Sequence, residues 1–286
     1  MTLKRIIYRT IIRLFEKLMM WHSFKNCQSI NLSIEQLPSE NTTCDIITIA
    51  FNNLQTIEWQ IPLIRKHIQG DYNYIVADNS SNKTIQKEIE KLCKKNNVSY
   101  VRLPTNYFTT IIGYASYSHG ASLNWMYYQV IKKRQPCYFG FIDHDLFPIK
   151  MIYPAQKLEK QPIYGILSLD EDIWQLWSGL CFYRFDFVKN LRMDFLPAKF
   201  KEISLDSGGG NWASIYSKMD RKLLSFESQK IENIGEENDQ NNWFENSVVY
   251  MGDCWIHTVS ASNWRKISPE KMKQKELMLK EKIAKI

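Results

Sequence analysis

A short apolar and aromatic run, Tyr138 to Ile142, ends in Asp143-His144-Asp145. A run of this length and character reads as a strand buried on both faces. Alternate residues of an extended segment share a face, so Asp143 and Asp145 project to the same side of the strand's carboxyl end. Two like charges held together are costly unless a positive charge lies between them. A divalent cation with oxygen ligands, Mg2+ or Mn2+, which itself holds a phosphate group, meets that need. The competing reading is a solvated turn, against which stands the position of the pair: ligands of open α/β sheets bind outside the carboxyl ends of the strands.

The rest of the chain supplies the sheet around that strand. Ile46–Phe51 reads as a parallel-type strand, Asn52-Asn53 as the turn after it and Thr56–Gln69 as a helix stopped by Gly70. Tyr74–Ala77 is a second strand ending in Asp78-Asn79-Ser80-Ser81, Lys83–Asn96 a charged helix, and Val98–Leu103 a third strand. A helix over His119–Val130, opened by Gly120-Ala121, leads into the Asp-x-Asp strand. Strand–helix units of this length imply an α/β fold with a doubly wound, mostly parallel sheet flanked by helices. Beyond Pro148 the alternation loosens. Short strands are expected at Ile163–Leu169 and Gly179–Tyr183, separated by the acidic and aromatic stretch 170–177, and later at Val248–Met251. Three consecutive glycines, 208–210, call for unusual backbone angles or close approach to a ligand.

Charge is concentrated at the ends. Of the net +7, residues 1–26 hold +5 and residues 265–286 another +5, which leaves a body of −3. Basic ends on a mildly acidic body argue against nucleic acid as a partner. Arg5, Arg9, Arg13 and Lys17 recur every four residues beside Ile6, Ile7, Ile11, Leu14, Phe15 and Leu18, which gives a basic amphipathic helix over 1–26. Its charges break every apolar run before the ~20 residues that span a bilayer, so it is expected to lie on an anionic membrane surface or to pack on the body. Residues 27–44 are expected to link it to a domain over 45–264, and 265–286 to form a second basic helix. Six scattered cysteines without a Cys-x-x-Cys pair suit reduced thiols and a cytoplasmic location at the inner face of the membrane.

The strand and turn after Phe51, Asp78 at the end of the second strand, Gly120-Ala121-x-x-Asn124 and then Asp-x-Asp form an ordered set. Over about residues 45–212 the sequence resembles nucleotide-sugar-dependent glycosyltransferases of the GT-A fold, especially family-2-like enzymes. The resemblance implies that Ala50, Phe51, Asn52, Asp78 and Asn79 surround base and ribose, and that Gly120 and Asn124 lie beside the nucleotide. His119 would touch phosphate, or merely be solvated. Asp143 and Asp145, with His144 between them, would hold the metal and the diphosphate, and a late histidine, His257, would be a third ligand that tilts the metal toward manganese.

A sugar transfer also needs a group to take the acceptor hydroxyl's proton. Asp206, in Leu205-Asp-Ser-Gly-Gly, is the first choice, with capping of a helix near Gly209 as its competing role. The pair Glu171-Asp172 is second choice, since it follows the metal motif too soon for the family's order. Trp174, Trp177 and Trp212 are candidates for stacking on a sugar. The expected activity is transfer from a nucleotide-diphosphate donor, UDP-sugar favoured, to a lipid-linked or glycan acceptor in surface polysaccharide or glycolipid synthesis. The rival readings are a sugar-nucleotide nucleotidyltransferase and a non-catalytic membrane-surface module. Against the first, Phe51-Asn52-Asn53-Leu54 lacks the glycine-rich, basic loop that grips a triphosphate.

Overall fold

The computed structural model describes residues 3–38, 42–108, 114–169, 172–200, 202–233, 247–259 and 268–284. The chain opens with α1 (Leu3–Trp21) and β1 (Ser29–Ile30), then alternates through β2 (Cys44–Ala50), α2 (Leu54–His67), β3 (Tyr72–Asp78), α3 (Lys83–Lys95) and β4 (Ser99–Arg102). Helix α4 (Ala115–Met126) runs on through a π-helical turn into α5 (Lys132–Arg134) and leads to β5 (Tyr138–Asp143) and β6 (Leu146–Pro148). After α6 (Pro154–Lys160) come β7 (Ile163–Leu169), β8 (Trp174–Arg184), α7 (Phe185–Val188), β9 (Ala198–Phe200) and β10 (Ile203–Leu205). The last elements are β11 (Gln229–Asn233), β12 (Ser247–Met251), β13 (Trp255–His257) and α8 (Pro269–Ala284).

The fold is α/β, with a seven-stranded, mostly parallel sheet in the order β1-β4-β3-β2-β5-β8-β7. Strands β4, β3, β2 and β5 run parallel side by side, β8 runs antiparallel to β5, and β1 closes the opposite edge. The period-2 pattern explains why helices cover both faces. Ile47, Ile49, Ile75, Ala77, Phe139 and Phe141 share a core with α4 and α1, whereas Ile46, Ala50, Tyr74, Val76 and Ile142 share one with α2 and α3. Each of the Ile, Val and Phe side chains contributes roughly 1.5–3 kcal/mol on burial. Gly140 is needed because the Phe182 ring, its cross-strand neighbour, lies where a β-carbon would stand.

A second, antiparallel sheet in the order β11-β12-β13-β6 grows from the carboxyl end of β5. It starts directly after Asp145, and its register sets His257 opposite Leu146.

Three sequence expectations are corrected. The stretch 170–177 is not a separator from Trp174 onward: Trp174–Trp177 begin β8, with Leu176 paired to Leu167. Trp174, Gln175 and Leu176 are all buried, so the polar alternation that marks a half-exposed strand is missing. Helix α4 begins at Ala115, four residues before the expected start. Gly120 lies inside it rather than opening it, because a β-carbon there would meet the Phe195 carbonyl oxygen.

Residues 27–38 run along the domain. Ser29–Ile30 pair with β4, Arg134 donates to the Ser33 carbonyl, and the Leu37 amide donates to the Arg134 carbonyl. Helix α1 packs Ile12 and Met19 into the core, with Tyr8 and Phe15 against it. Arg13 pairs with Glu16 and Asp194, Asn124 donates to Glu16, and Trp125 Nε1 donates to the His22 carbonyl. Residue numbers rise together along these contacts, so α1 runs parallel to α4.

Candidate active site

The Asp143–Asp145 turn is held from behind by one side chain. Gln60, fully buried on α2, donates through Nε2 to the carbonyls of Asp143 (2.8 Å) and Leu146 (2.6 Å). Its Oε1 accepts from Thr48 (2.9 Å) and Tyr74 (2.7 Å), so Gln60 is anchored to β2 and β3 and clamps both sides of the turn. From β13, the Thr258 amide donates to the Asp145 carbonyl at 3.0 Å. The turn is therefore fixed before any ligand arrives.

Asp143, Asp145 and His257 each present one ligand atom, and these atoms lie within 4.8 Å of one another. His257 Nε2 is 3.1 Å from Asp145 Oδ1. Burial alone would lower the His257 pKa, but the Asp145 carboxylate outweighs it and the net shift is upward from 6.5. Burial pushes the Asp143 carboxyl up, offset in part by His119 and reinforced by Asp145. Two carboxylate oxygens and one imidazole nitrogen fit Mn2+, or with lower preference Mg2+, and leave coordination positions for phosphate and water.

Around this centre the structure gathers some of the sequence candidates. His119, in the second turn of α4, sets Nε2 3.5 Å from Asp143 Oδ1, and its Nδ1 is 3.3 Å from Ser207 Oγ. Ser207 adjoins Asp206, whose exposed carboxylate accepts from the Ser207 amide at 2.7 Å. The short helical turn Gly209–Asn211 is preceded by Gly208 at φ +94°, so Asp206 is not its N-cap. Trp177 stands beside His257, with ring centroids 4.9 Å apart. Trp174 instead belongs to the core against Tyr216 and Phe226, and Trp212 lies against Phe200. Asp172 is exposed at the turn before β8, and Glu171 lies outside the described residues.

The ends of β2 and β3 are stitched together beside α4. Asn52, at φ +51°, receives the Asn82 amide on its side-chain oxygen and donates to Ser80 and Ser81. The Asn79 amide donates to the Ala50 carbonyl, and its side chain donates to Ser118, next to His119. Asn79 Oδ1 is buried with no hydrogen-bond partner among the described residues. Phe51 is half-buried at the mouth of this turn. Asp78 is fully buried and accepts from the Ser80 amide and the Tyr100 hydroxyl, and burial raises its pKa.

Other candidates face inward. His144 is buried, and its Nε2 has no hydrogen-bond partner among the described residues. Asn124 is 1% exposed; it accepts from the Phe195 amide and donates to Glu16, so it joins α1 to the segment after Asp194. Gly120 faces the same segment. Sequence reasoning missed Gln60, which reads as an ordinary polar residue within a helix, and no local signal marks it.

No protein-family model matches the chain, and no curated protein does. Solved structures do. S. aureus TarS, also solved with UDP, has a TM-score of 0.36 at 14% identity, over 54% of this chain and 30% of that one. The WbbM bifunctional glycosyltransferase has a TM-score of 0.35 at 15% identity, over 52% and 33%. The mannosyltransferase PcManGT from Pyrobaculum calidifontis, in complex with GDP-Man and Mn2+, has a TM-score of 0.36 at 9% identity, over 64% and 56%. The likeness spans about a third to just over half of the length of those chains.

Proposed function

We propose that the chain is a metal-dependent glycosyltransferase that moves a sugar from a nucleotide-diphosphate donor, UDP-sugar favoured, to a membrane-held glycan or lipid-linked acceptor. The observation that carries this reading is the Asp143, Asp145 and His257 cluster at the carboxyl end of parallel strands, with the Asp206 loop beside it. Those three residues would hold Mn2+ or Mg2+, which when bound supplies Lewis-acid neutralisation of the charge on the departing nucleoside diphosphate. Asp206 takes the acceptor hydroxyl's proton: its carboxylate is exposed, carries no cation partner among the described residues, and is oriented by the Ser207 amide. The β2 and β3 turns, with Phe51, Asn52 and Asn79, form the nucleoside end, and Trp177 walls the site beside His257. Purified protein given UDP-sugar, Mn2+ and lipid-linked glycan should release UDP. Asp206→Asn should lower kcat by about 10²–10⁴-fold while Mn2+-dependent UDP binding persists; an unchanged kcat would remove Asp206 from the base role.

Helix α1 supports a membrane-held acceptor. With Ile12 and Met19 turned to the core, Ile7, Ile11, Leu14 and Trp21 form a second, exposed apolar stripe, and Trp21 is 84% exposed. Lys17 lies at its edge, and the exposed Arg13 and Arg9 follow further round the helix. Among the described residues no helix is long and apolar enough to cross a membrane. An apolar stripe edged by basic residues suits the interface of an anionic bilayer. The protein should co-sediment with vesicles containing phosphatidylglycerol, and Ile11→Glu/Leu14→Glu should reduce the bound fraction at least about tenfold, given that each buried CH₂ contributes ~0.8 kcal/mol. Equal sedimentation of both proteins would rule this face out.

A further inference from the structure

The metal cluster is connected to the Asp206 loop by a line of side chains that the proposed chemistry does not itself require. Ser178 on β8 is 1% exposed, and its Oγ lies 2.7 Å from Ser207 Oγ. Ser207, 4% exposed, lies 3.3 Å from His119 Nδ1, and His119 Nε2 lies 3.5 Å from Asp143 Oδ1. The direction of the protons follows from the end of the line. An ionised carboxylate only accepts, so the tautomer that suits this line carries its hydrogen on Nε2 and accepts from the Ser207 hydroxyl at Nδ1. Ser207 Oγ in turn accepts from Ser178. The Ser178, Ser207 and His119 contacts are then satisfied with a single arrangement of hydrogens.

We propose that His119 and Ser207 are positioning residues that hold the Asp143 carboxylate in its ligating orientation and tie it to the loop that carries Asp206. This rests on the reading of Asp143 as a metal ligand given above. Asp143 needs such a partner more than Asp145 does. Asp145 is 6% exposed at its side chain and already fixed by His257, whereas Asp143 is 25% exposed there, and among the described residues His119 is its one ion-pair partner within 4.0 Å. Partners that orient a metal-binding group typically affect metal affinity by 10–100-fold. Because Ser207 directly follows Asp206 and precedes Gly208 and Gly209, the same contact sets where the loop lies relative to the metal ligands. The glycines are required there: a β-carbon on Gly209 would meet the Leu205 side chain, and one on Gly210 would meet Asp194.

The test measures Mn2+ alone, by the electron paramagnetic resonance signal of the free ion, with full-length protein and no nucleotide. His119→Ala should weaken Mn2+ binding about tenfold or more. His119→Gln, whose amide nitrogen can reach the position of Nε2 but which leaves Ser207 without its acceptor, should weaken binding no more than Ser207→Ala does. Ser207→Ala should weaken binding about three- to tenfold and add no further loss in the His119→Ala background, since both changes break one line. Melting temperatures are recorded for each variant; if His119→Ala does not fold, His119→Gln and Ser207→Ala carry the comparison. Wild-type affinity in Ser207→Ala and His119→Ala, or additive losses in the double variant, would overturn the proposal. Asp143→Asn is the control. If it binds Mn2+ like wild type, the metal reading itself fails; if it loses Mn2+ while the His119 and Ser207 variants do not, only the positioning role fails.

Discussion

Asp143→Asn is expected to lower sugar-nucleotide turnover by at least about 10²-fold, with the protein still folded. The size follows from the proposed role of the cluster: loss of groups that merely orient metal ligands costs 10–100-fold, and Asp143 is proposed as a ligand itself. Asparagine keeps the shape and one oxygen but removes the charge that balances the cation. The fold should tolerate it, because the Asp143 side chain is a quarter exposed and the turn is held through its carbonyl by Gln60 rather than through its carboxylate. Asp145→Asn should lower turnover as much and also change the metal-free protein, because His257 then loses the partner that raises its pKa. In the metal-free wild type that pairing contributes stability at pH below 6.5 and loses it as pH rises through the raised value. Steady-state rates and thermal melts at pH 6 and 8 separate the two variants. Equal rates in Asp143→Asn and wild type would mean that the cluster is not used in the reaction.

The second large effect concerns stability. Asp45 on β2 is fully buried and meets Arg134 in a two-pronged pair, Nε to Oδ2 at 2.8 Å and Nη2 to Oδ1 at 3.1 Å. Burial raises the Asp45 pKa in spite of Arg134 and Asn73, so the carboxylate is near the limit of what its partners can offset. Removing one partner of a buried pair leaves an uncompensated charge, and Arg134→Ala should cost about 3–5 kcal/mol. The same change frees the Ser33 carbonyl, so residues 33–37 should exchange amide hydrogens faster. The deficit has a sign with pH. Without Arg134 the folded-state pKa of Asp45 rises further above its unfolded value, so the charged form is penalised at neutral pH and the penalty is relieved as pH falls through the folded value. Urea melts should therefore show a smaller difference from wild type at pH 5 than at pH 7. Asp45→Asn/Arg134→Met should recover more than half of the loss; a double variant as unstable as the single one would mean that the pair acts through something other than its charge.

Much of this architecture is legible in the residues, and the exceptions have a common cause. Strands β2, β3 and β5 announce themselves because a strand buried on both faces needs an unbroken apolar run, and Ile163–Leu169 is a strand with the expected limits. Asp143 and Asp145 are legible for the same reason, since they stop such a run at its carboxyl end. What is not legible depends on contacts distant in sequence. Gln60 and Asp143 are 83 positions apart, Arg134 and Asp45 are 89 apart, and His119 and Ser207 are 88 apart. A polar residue bound for the interior looks like any other polar residue until its partner is placed. Gly120 and Asn124 show the converse: a small residue and an amide on a helix beside the sheet suit a nucleotide, yet here they suit the Phe195 backbone. The two apolar faces of α1 blur into one pattern in sequence and separate only when one of them meets α4.

The most direct measurement is calorimetric titration of UDP, and then of GDP, into the purified protein with and without Mn2+. Binding of one nucleotide that requires Mn2+ and disappears in Asp143→Asn is the predicted result, and it would name the donor class as well. If neither nucleotide binds in a Mn2+-dependent way, Asp143, Asp145 and His257 do not form a nucleotide-sugar site, and the glycosyltransferase reading is contradicted.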